Sequence, residues 1–197
     1  MEQTDRNMPE GAGEGNASER GATLIEAVLF TVIALGVIIG GVVFFEQASL
    51  SAKTNSTIRL MSSLQSQVRS LFQSQADFGT ADMAALLIAS NAIPSSLQSD
   101  TDADNIPDAI VSNMGGDVTI TGATRQFTME VEDVPVEVCS RILPFDDLGN
   151  GVIGTGIVSV TDGTDTDSDG LGSAAAATFC TKNAAAGKVD ITWTFDR

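Results

Sequence analysis

From Ala27 to Phe45 the chain runs AVLFTVIALGVIIGGVVFF, 19 residues without a charge and with Thr31 as the only hydroxyl. No other feature constrains the fold as much. As a helix rising 1.5 Å per residue, such a run is close to the length needed to cross a hydrocarbon core of about 30 Å. The apolar region of a secretory signal is shorter, about 7–15 residues, and follows a basic segment. Here the preceding segment is acidic, with Glu2, Asp5, Glu10, Glu14 and Glu19 against Arg6 and Arg20. A membrane-spanning helix is therefore expected. Residues 1–20 are rich in Gly, Glu, Asn and Ser, too polar to bury a core, and are expected to be disordered. Arg20 flanks the run on one side and Lys53 is the first cation beyond it, which weakly favours a cytoplasmic N-terminus.

Composition narrows the function. Of 197 residues, 43% are hydrophobic and 18% charged, too apolar for a disordered chain. The 26 acidic and 10 basic residues give a net charge of −16, which argues against a nucleic-acid partner. Histidine and tyrosine are absent, removing the commonest general base and the commonest zinc ligand. No nucleophile–base pair is visible, so an enzyme is not expected. A structural or binding protein is.

Glu26 breaks the apolar pattern. Gly21-Ala22-Thr23-Leu24-Ile25 precede it without a charge, so it lies inside the apolar segment rather than at its edge. A carboxylate in a membrane helix costs about 2.5–3.5 kcal/mol on insertion scales and calls for a reason. Glu19-Arg20-Gly21-Ala22-Thr23-Leu24-Ile25-Glu26, followed by the long apolar run, resembles the processing site of type IV prepilins. In that family a membrane peptidase cuts after the glycine and methylates the new amine, and a glutamate is the fifth residue of the mature chain. The resemblance implies cleavage between Gly21 and Ala22, with Glu26 as that fifth residue. A buried, unpaired carboxylate is costly. In a fibre its partner is expected to be the N-terminal amine of a neighbouring subunit, which fixes axial register.

Beyond Phe45, Ile58, Met61, Leu64, Val68 and Leu71 recur at steps of three and four, so one helix is expected from Thr23 to about Phe72. Gly36, Gly40 and Gly41 in its apolar half suit close helix packing or local loosening. A second helix is expected over 81–91, capped by Thr80 and ended before Pro94. The stretch 63–97, with its Phe78-Gly79 and Ile93-Pro94-Ser95-Ser96-Leu97, is similar to type IVb pilins of the conjugative thin-pilus and toxin-coregulated pilus group. From Asp117 on, the period becomes two. Phe127, Met129 and Val131 alternate with Thr128, Glu130 and Glu132, and Val189, Ile191, Trp193 and Phe195 with Asp190, Thr192 and Thr194. Both read as half-buried antiparallel strands, with a weaker one at 118–121. A short helix is expected to open at Val134-Pro135, and 149–156 and 161–172 to be loops.

Cys139 and Cys180 are the only cysteines, too few for a zinc cluster. In an oxidising compartment a disulfide is expected, worth roughly 4 kcal/mol by the chain-entropy model; two buried thiols are the alternative. The family resemblance implies a bond stapling the C-terminal region to the sheet. Two acidic strings are calcium candidates. Asp100, Asp102, Asp104 and Asp108 lie in DTDADNIPD, which resembles the loops of thrombospondin type 3 repeats, and the Ile106 carbonyl could add an oxygen. Asp165, Asp167, Asp169 and Gly170 match the first half of an EF-hand loop. Neither string has a glutamate at the twelfth position, which is Val111 in one and Ala176 in the other, and solvated acidic surface is the alternative.

Taken together, these observations predict an α+β, pilin-like fold, a long N-terminal helix packed on an antiparallel sheet. Residues 1–21 are expected to form a cytoplasmic leader that is removed. Residues 22–49 would be the transmembrane and fibre-core half of the helix, and 50–197 an extracytoplasmic globular domain. The expected role is that of a type IVb pilus subunit, with copies of itself, minor pilins, a prepilin peptidase and the inner-membrane assembly machinery as partners. It would be an inner-membrane precursor first and an extracellular fimbrium afterwards. A type II secretion pseudopilin is the alternative. A single-pass anchored adhesin is a rival of another class, but a simple anchor has no use for Glu26.

Overall fold

The computed structural model describes residues 16–197, with side chains from Thr23 onward. Residues 1–15 of the expected leader lie outside the described residues. The first helix, α1 (Asn16–Leu71), begins earlier than Thr23, since Ala17, Ser18, Glu19 and Arg20 oppose helix formation little. The chain divides into two compact units, one ending at Ala48 and one spanning Ser49–Arg197, and α1 contributes to both.

From Ala27 to Phe45, within the first unit, α1 carries apolar side chains on every face. In the second it is amphipathic: Leu60, Met61, Leu64 and Val68 are buried, while Ile58 and Leu71 are half-buried at the ends of the stripe. This stripe packs with a seven-stranded, wholly antiparallel sheet into one hydrophobic core. The strands are β1 (Gln98–Ser99), β2 (Ala109–Val111), β3 (Asp117–Ala123), β4 (Gln126–Pro135), β5 (Ile157–Thr161), β6 (Thr166–Asp167) and β7 (Lys188–Asp196), in spatial order β1-β2-β3-β4-β7-β5-β6. The period-two reading of β4 and β7 fixes their inner face. Phe127 pairs with Phe195, Met129 with Trp193 and Val131 with Ile191, and all six are fully buried. The rings of Phe72, Phe78, Phe127 and Phe195 form a chain with centroid steps of 5.4, 5.2 and 5.1 Å, joining the end of α1 to the sheet.

Four local expectations change. The second helix, α2 (Ala84–Ala89), is shorter than 81–91, because the backbone just before it bonds to β3: the Met83 N–H donates to the Ile120 carbonyl. Thr80 does not cap it: Met83 holds the N-cap position without a side-chain cap hydrogen bond, and the Asp82 carboxylate just before it accepts from the Ala84 N–H at 2.9 Å. Pro135 stands just before α3 (Val136–Ile142), not within its first turn. The stretch 161–172, expected as loop, contains β6, and the run at 173–182 is a further helix, α4 (Ser173–Lys182).

Polar side chains on α1 fasten it to the loop before β5. The Ser62 hydroxyl donates to the Ile153 carbonyl at 2.9 Å, and the Gln65 amide donates to the Thr155 carbonyl. The Arg69 guanidinium donates to the carbonyls of Thr155 and Asp196 at 2.9 and 2.8 Å. Gly156 has φ +75°, and a Cβ there would meet the Arg69 guanidinium, so only glycine suits the approach.

Candidate functional site

The apolar half of α1 is the first candidate. Every large apolar side chain from Leu24 to Phe45 is 50–73% exposed, and the helix over Thr23–Leu71 includes a window of mean hydropathy 2.8 that is 0% buried. Helical geometry explains the Thr31 hydroxyl, which donates to the Val28 carbonyl at 2.8 Å and needs no outside acceptor. Gly36, Gly40 and Gly41 have no atom within 4 Å of a Cβ built on them, so another backbone has room to approach. Glu26 stands exposed on this helix and makes no ion pair or hydrogen bond among the described residues. Gly21 and Ala22 lie on helical backbone within α1, and the Ala22 side chain falls outside the described residues.

The two cysteines are bonded: Cys139 of α3 and Cys180 of α4, with Cα atoms 6.0 Å apart, both fully buried. The bond joins the two helices that flank β5 and β6 in sequence, so it closes the C-terminal region onto the core through Val138, Ile142, Leu143 and Ala176.

The acidic strings differ in geometry. Asp100, Asp102 and Asp104 each bring a carboxylate oxygen within 4.8 Å of the others, the one such group among the described residues. The loop is built by those carboxylates: Asp100 accepts from the Ala103 and Asn105 N–H groups, Asp102 from that of Asp104, and Asp104 from that of Ile106. Asp108 turns elsewhere. It accepts from the hydroxyl and N–H of Thr101 at 2.6 and 2.9 Å, and those hydrogen bonds, hydroxyl first, hold its carboxyl below the ordinary value of 3.8.

The second string is not brought together. Asp165 is drawn to the Lys182 ammonium at 2.8 Å and accepts from Asn183 at 2.7 Å, and these two partners, Lys182 foremost, lower its pKa. Asn183 also donates to Asp162, so the β5–β6 hairpin is tied to the end of α4. The Lys182 and Asn183 partners are 17 and 18 residues away, outside the local spacing on which the EF-hand reading rested.

A cluster that the sequence reading passed over lies around the β4 bulge at 131–134. The Asp133 N–H donates to Asp190, and Lys188 pairs with Asp133 at 3.2 Å. Although Glu132 is exposed, partial desolvation raises its carboxyl, and the charges of Asp117, Asp190, Glu130 and Asp133 add to the shift. Alternation placed Glu130 and Glu132 on one outward face, but the bulge and the β7 partner that gather five carboxylates there are long-range.

The Bundlin family model matches residues 46–196, well over half of the chain. No curated protein matches the sequence significantly. Among solved structures, the crystal structure of a type IVb pilin from Salmonella typhi is similar, with a TM-score of 0.54 at 12% identity, over 73% of this chain and 99% of that one. At that identity the likeness speaks for the fold: a long helix on an antiparallel sheet.

Proposed function

The chain belongs to the Bundlin family of type IV pilins, and from that premise we propose how its two units divide the work of building a fibre. As a pilin it is a structural subunit of a type IVb pilus. In our reading a prepilin peptidase cuts between Gly21 and Ala22, and the apolar half of α1 holds the subunit in the inner membrane. Assembly then exchanges lipid for neighbouring α1 helices, including at Gly36, Gly40 and Gly41, where small residues let backbones approach. Glu26 takes the new amine of a neighbouring Ala22. The Ser49–Arg197 unit becomes the outer surface of the extracellular fibre.

One observation carries this reading. Glu26 sits exposed at the head of the uncharged run Ala27–Phe45 and finds no partner among the described residues of its own chain. A carboxylate in an apolar medium without a counter-charge is strongly unfavourable, so its partner comes from another chain. The family match begins at residue 46, so support for the processing step rests on the residues from Gly21 to Glu26 themselves.

Two measurements test it. Intact mass of surface fibres is expected to show a chain beginning at N-methylated Ala22; a chain beginning at Met1 refutes the processing step. Glu26→Ala is expected to insert and to be processed, since the change lowers the insertion cost, yet to assemble poorly. Normal fibre yield from that variant refutes the pairing.

A second, separable reading is that the loop at 100–108 takes calcium. The convergence of Asp100, Asp102 and Asp104 supports it for this loop alone. Flexible oxygen-rich geometry suits calcium better than magnesium, which demands a smaller octahedral shell.

A further inference from the structure

We propose that successive subunits join head to tail in the outer layer of the fibre, the Leu148 loop of one seated in the Arg59 groove of the next. This rests on the fibre reading above and adds the contact between the Ser49–Arg197 units.

The groove runs between α1 and the segment joining α2 to β1, with a volume of about 260 Å³. Leu60, Ala92, Pro94 and Leu97 make it apolar, and Ser56 and Arg59 border it. Arg59 is exposed and has no ion pair or hydrogen bond among the described residues, in a chain of net charge −16. An apolar floor beside an unpaired guanidinium calls for an apolar knob next to a carboxylate.

The loop Asp146–Gly149 has that form. Leu148 is 79% exposed, the most exposed large apolar side chain among the described residues. Its neighbour Asp147 is exposed and has no partner among them. The loop is held for presentation: the Asp146 carboxylate accepts from the Leu148 and Asn150 N–H groups at 3.0 and 2.7 Å, and the Ile157 N–H donates to the Gly149 carbonyl at 2.9 Å. A prefixed loop loses little freedom on docking.

Position completes the case. The groove adjoins β1 through Leu97, and the loop is bonded to β5; these lie towards opposite edges of the sheet. Two different patches on opposite edges give a heterologous contact, and a heterologous contact that does not close propagates as an open helix. Ile106, 65% exposed between Asp104 and Asp108, offers similar chemistry but lies in the β1–β2 connection, on the groove's own edge. Copies this acidic repel one another, so a cation facing a carboxylate also sets the register in which they can approach.

The test uses the full chain in its native cells, with surface fibres recovered by shearing. Arg59→Glu and Asp147→Lys are each expected to lower fibre yield on the order of tenfold, and the double variant to restore most of it, since like charges at a contact are strongly unfavourable. Ser63, exposed on the groove's rim, supplies a second measurement: Ser63→Cys with Leu148→Cys is expected to give a ladder of cross-linked subunits on mild oxidation of fibres, and neither single variant to do so. No restoration by the double reversal overturns the proposal. So do intact fibres that give no ladder, or a ladder from Ser63→Cys with Ile106→Cys instead. A wild-type chain that reaches the membrane but never enters fibres refutes the fibre reading itself, and is told apart by the absence of any fibre.

Discussion

The two units solve the problem of apolar surface in opposite ways. From Leu24 to Phe45 large apolar side chains stand uncovered and one carboxylate stands unpaired. In the Ser49–Arg197 unit, apolar residues converge on one core around Trp193, Phe127 and Phe195, closed by a disulfide. In the proposed reading the first unit is covered by lipid or by other chains. The second is finished by itself. The same truncation should therefore be read in different experiments for the two.

The largest expected effect sharpens this contrast. Trp193→Ala removes a fully buried side chain and should destabilise the Ser49–Arg197 fragment by about 3–5 kcal/mol, measured by denaturant unfolding. Ile33→Ala, at a residue 58% exposed, should leave the unfolding of the second unit in the detergent-solubilised full chain unchanged and show only in membrane insertion and fibre yield. Equal effects of the two on unfolding would break the division into units.

Next comes the disulfide. Replacing Cys139 and Cys180 by Ala should lower the fragment's stability by about 2–4 kcal/mol, read in the same way. Membrane insertion of the full chain should not change. A variant as stable as the parent would mean that the packing of α3 and α4 alone closes this region.

Calcium should come third. At 100 times its dissociation constant a ligand of the folded state adds about 2.7 kcal/mol, visible as a raised melting temperature in calcium over chelator. Asp102→Ala with Asp104→Ala should remove most of that shift, and magnesium should produce less of it. Identical melting in calcium and chelator would leave the loop as solvated acidic surface.

The smallest effect is electrostatic. The Glu132 carboxyl is raised above 4.5, so its ionised form is disfavoured in the folded state, and the penalty is full above its folded value and gone below 4.5. Glu132→Gln should stabilise the fragment slightly at pH 7, within about 0.5 kcal/mol, and leave it unchanged below that window. Asp108 and Asp165 work the other way. Their lowered values give stability that is present above 3.8 and lost as pH falls through their folded values. Melting temperature against pH for parent and variant checks both signs.

Local periodicity carried the elements whose burial is regular. Steps of three and four gave the Met61, Leu64 and Val68 stripe, and alternation gave the Phe127–Val131 and Val189–Phe195 faces. The apolar run and Glu26 were equally legible, because length, charge and solvent preference are properties of the chain itself. What escaped was weakly patterned or depended on distant partners. The Ser173–Lys182 helix is mostly small residues, with Ala176 and Cys180 buried, and shows no apolar stripe. The Thr166–Asp167 strand exists because it pairs with Val160 and Thr161, while its own residues read as loop. Ser62, Gln65 and Arg69 find backbone carbonyls some 86 to 127 residues away, and a carbonyl leaves no mark in a sequence because every residue has one.

The acidic strings show where the boundary falls. By sequence alone the two were similar alternations of aspartate. Tertiary structure separated them, because α4 delivers Lys182 and Asn183 to Asp165 while Asp100, Asp102 and Asp104 meet only one another and their own loop. Charge and spacing fixed which groups were available. The long-range packing of a helix against a hairpin decided which of them already had a partner.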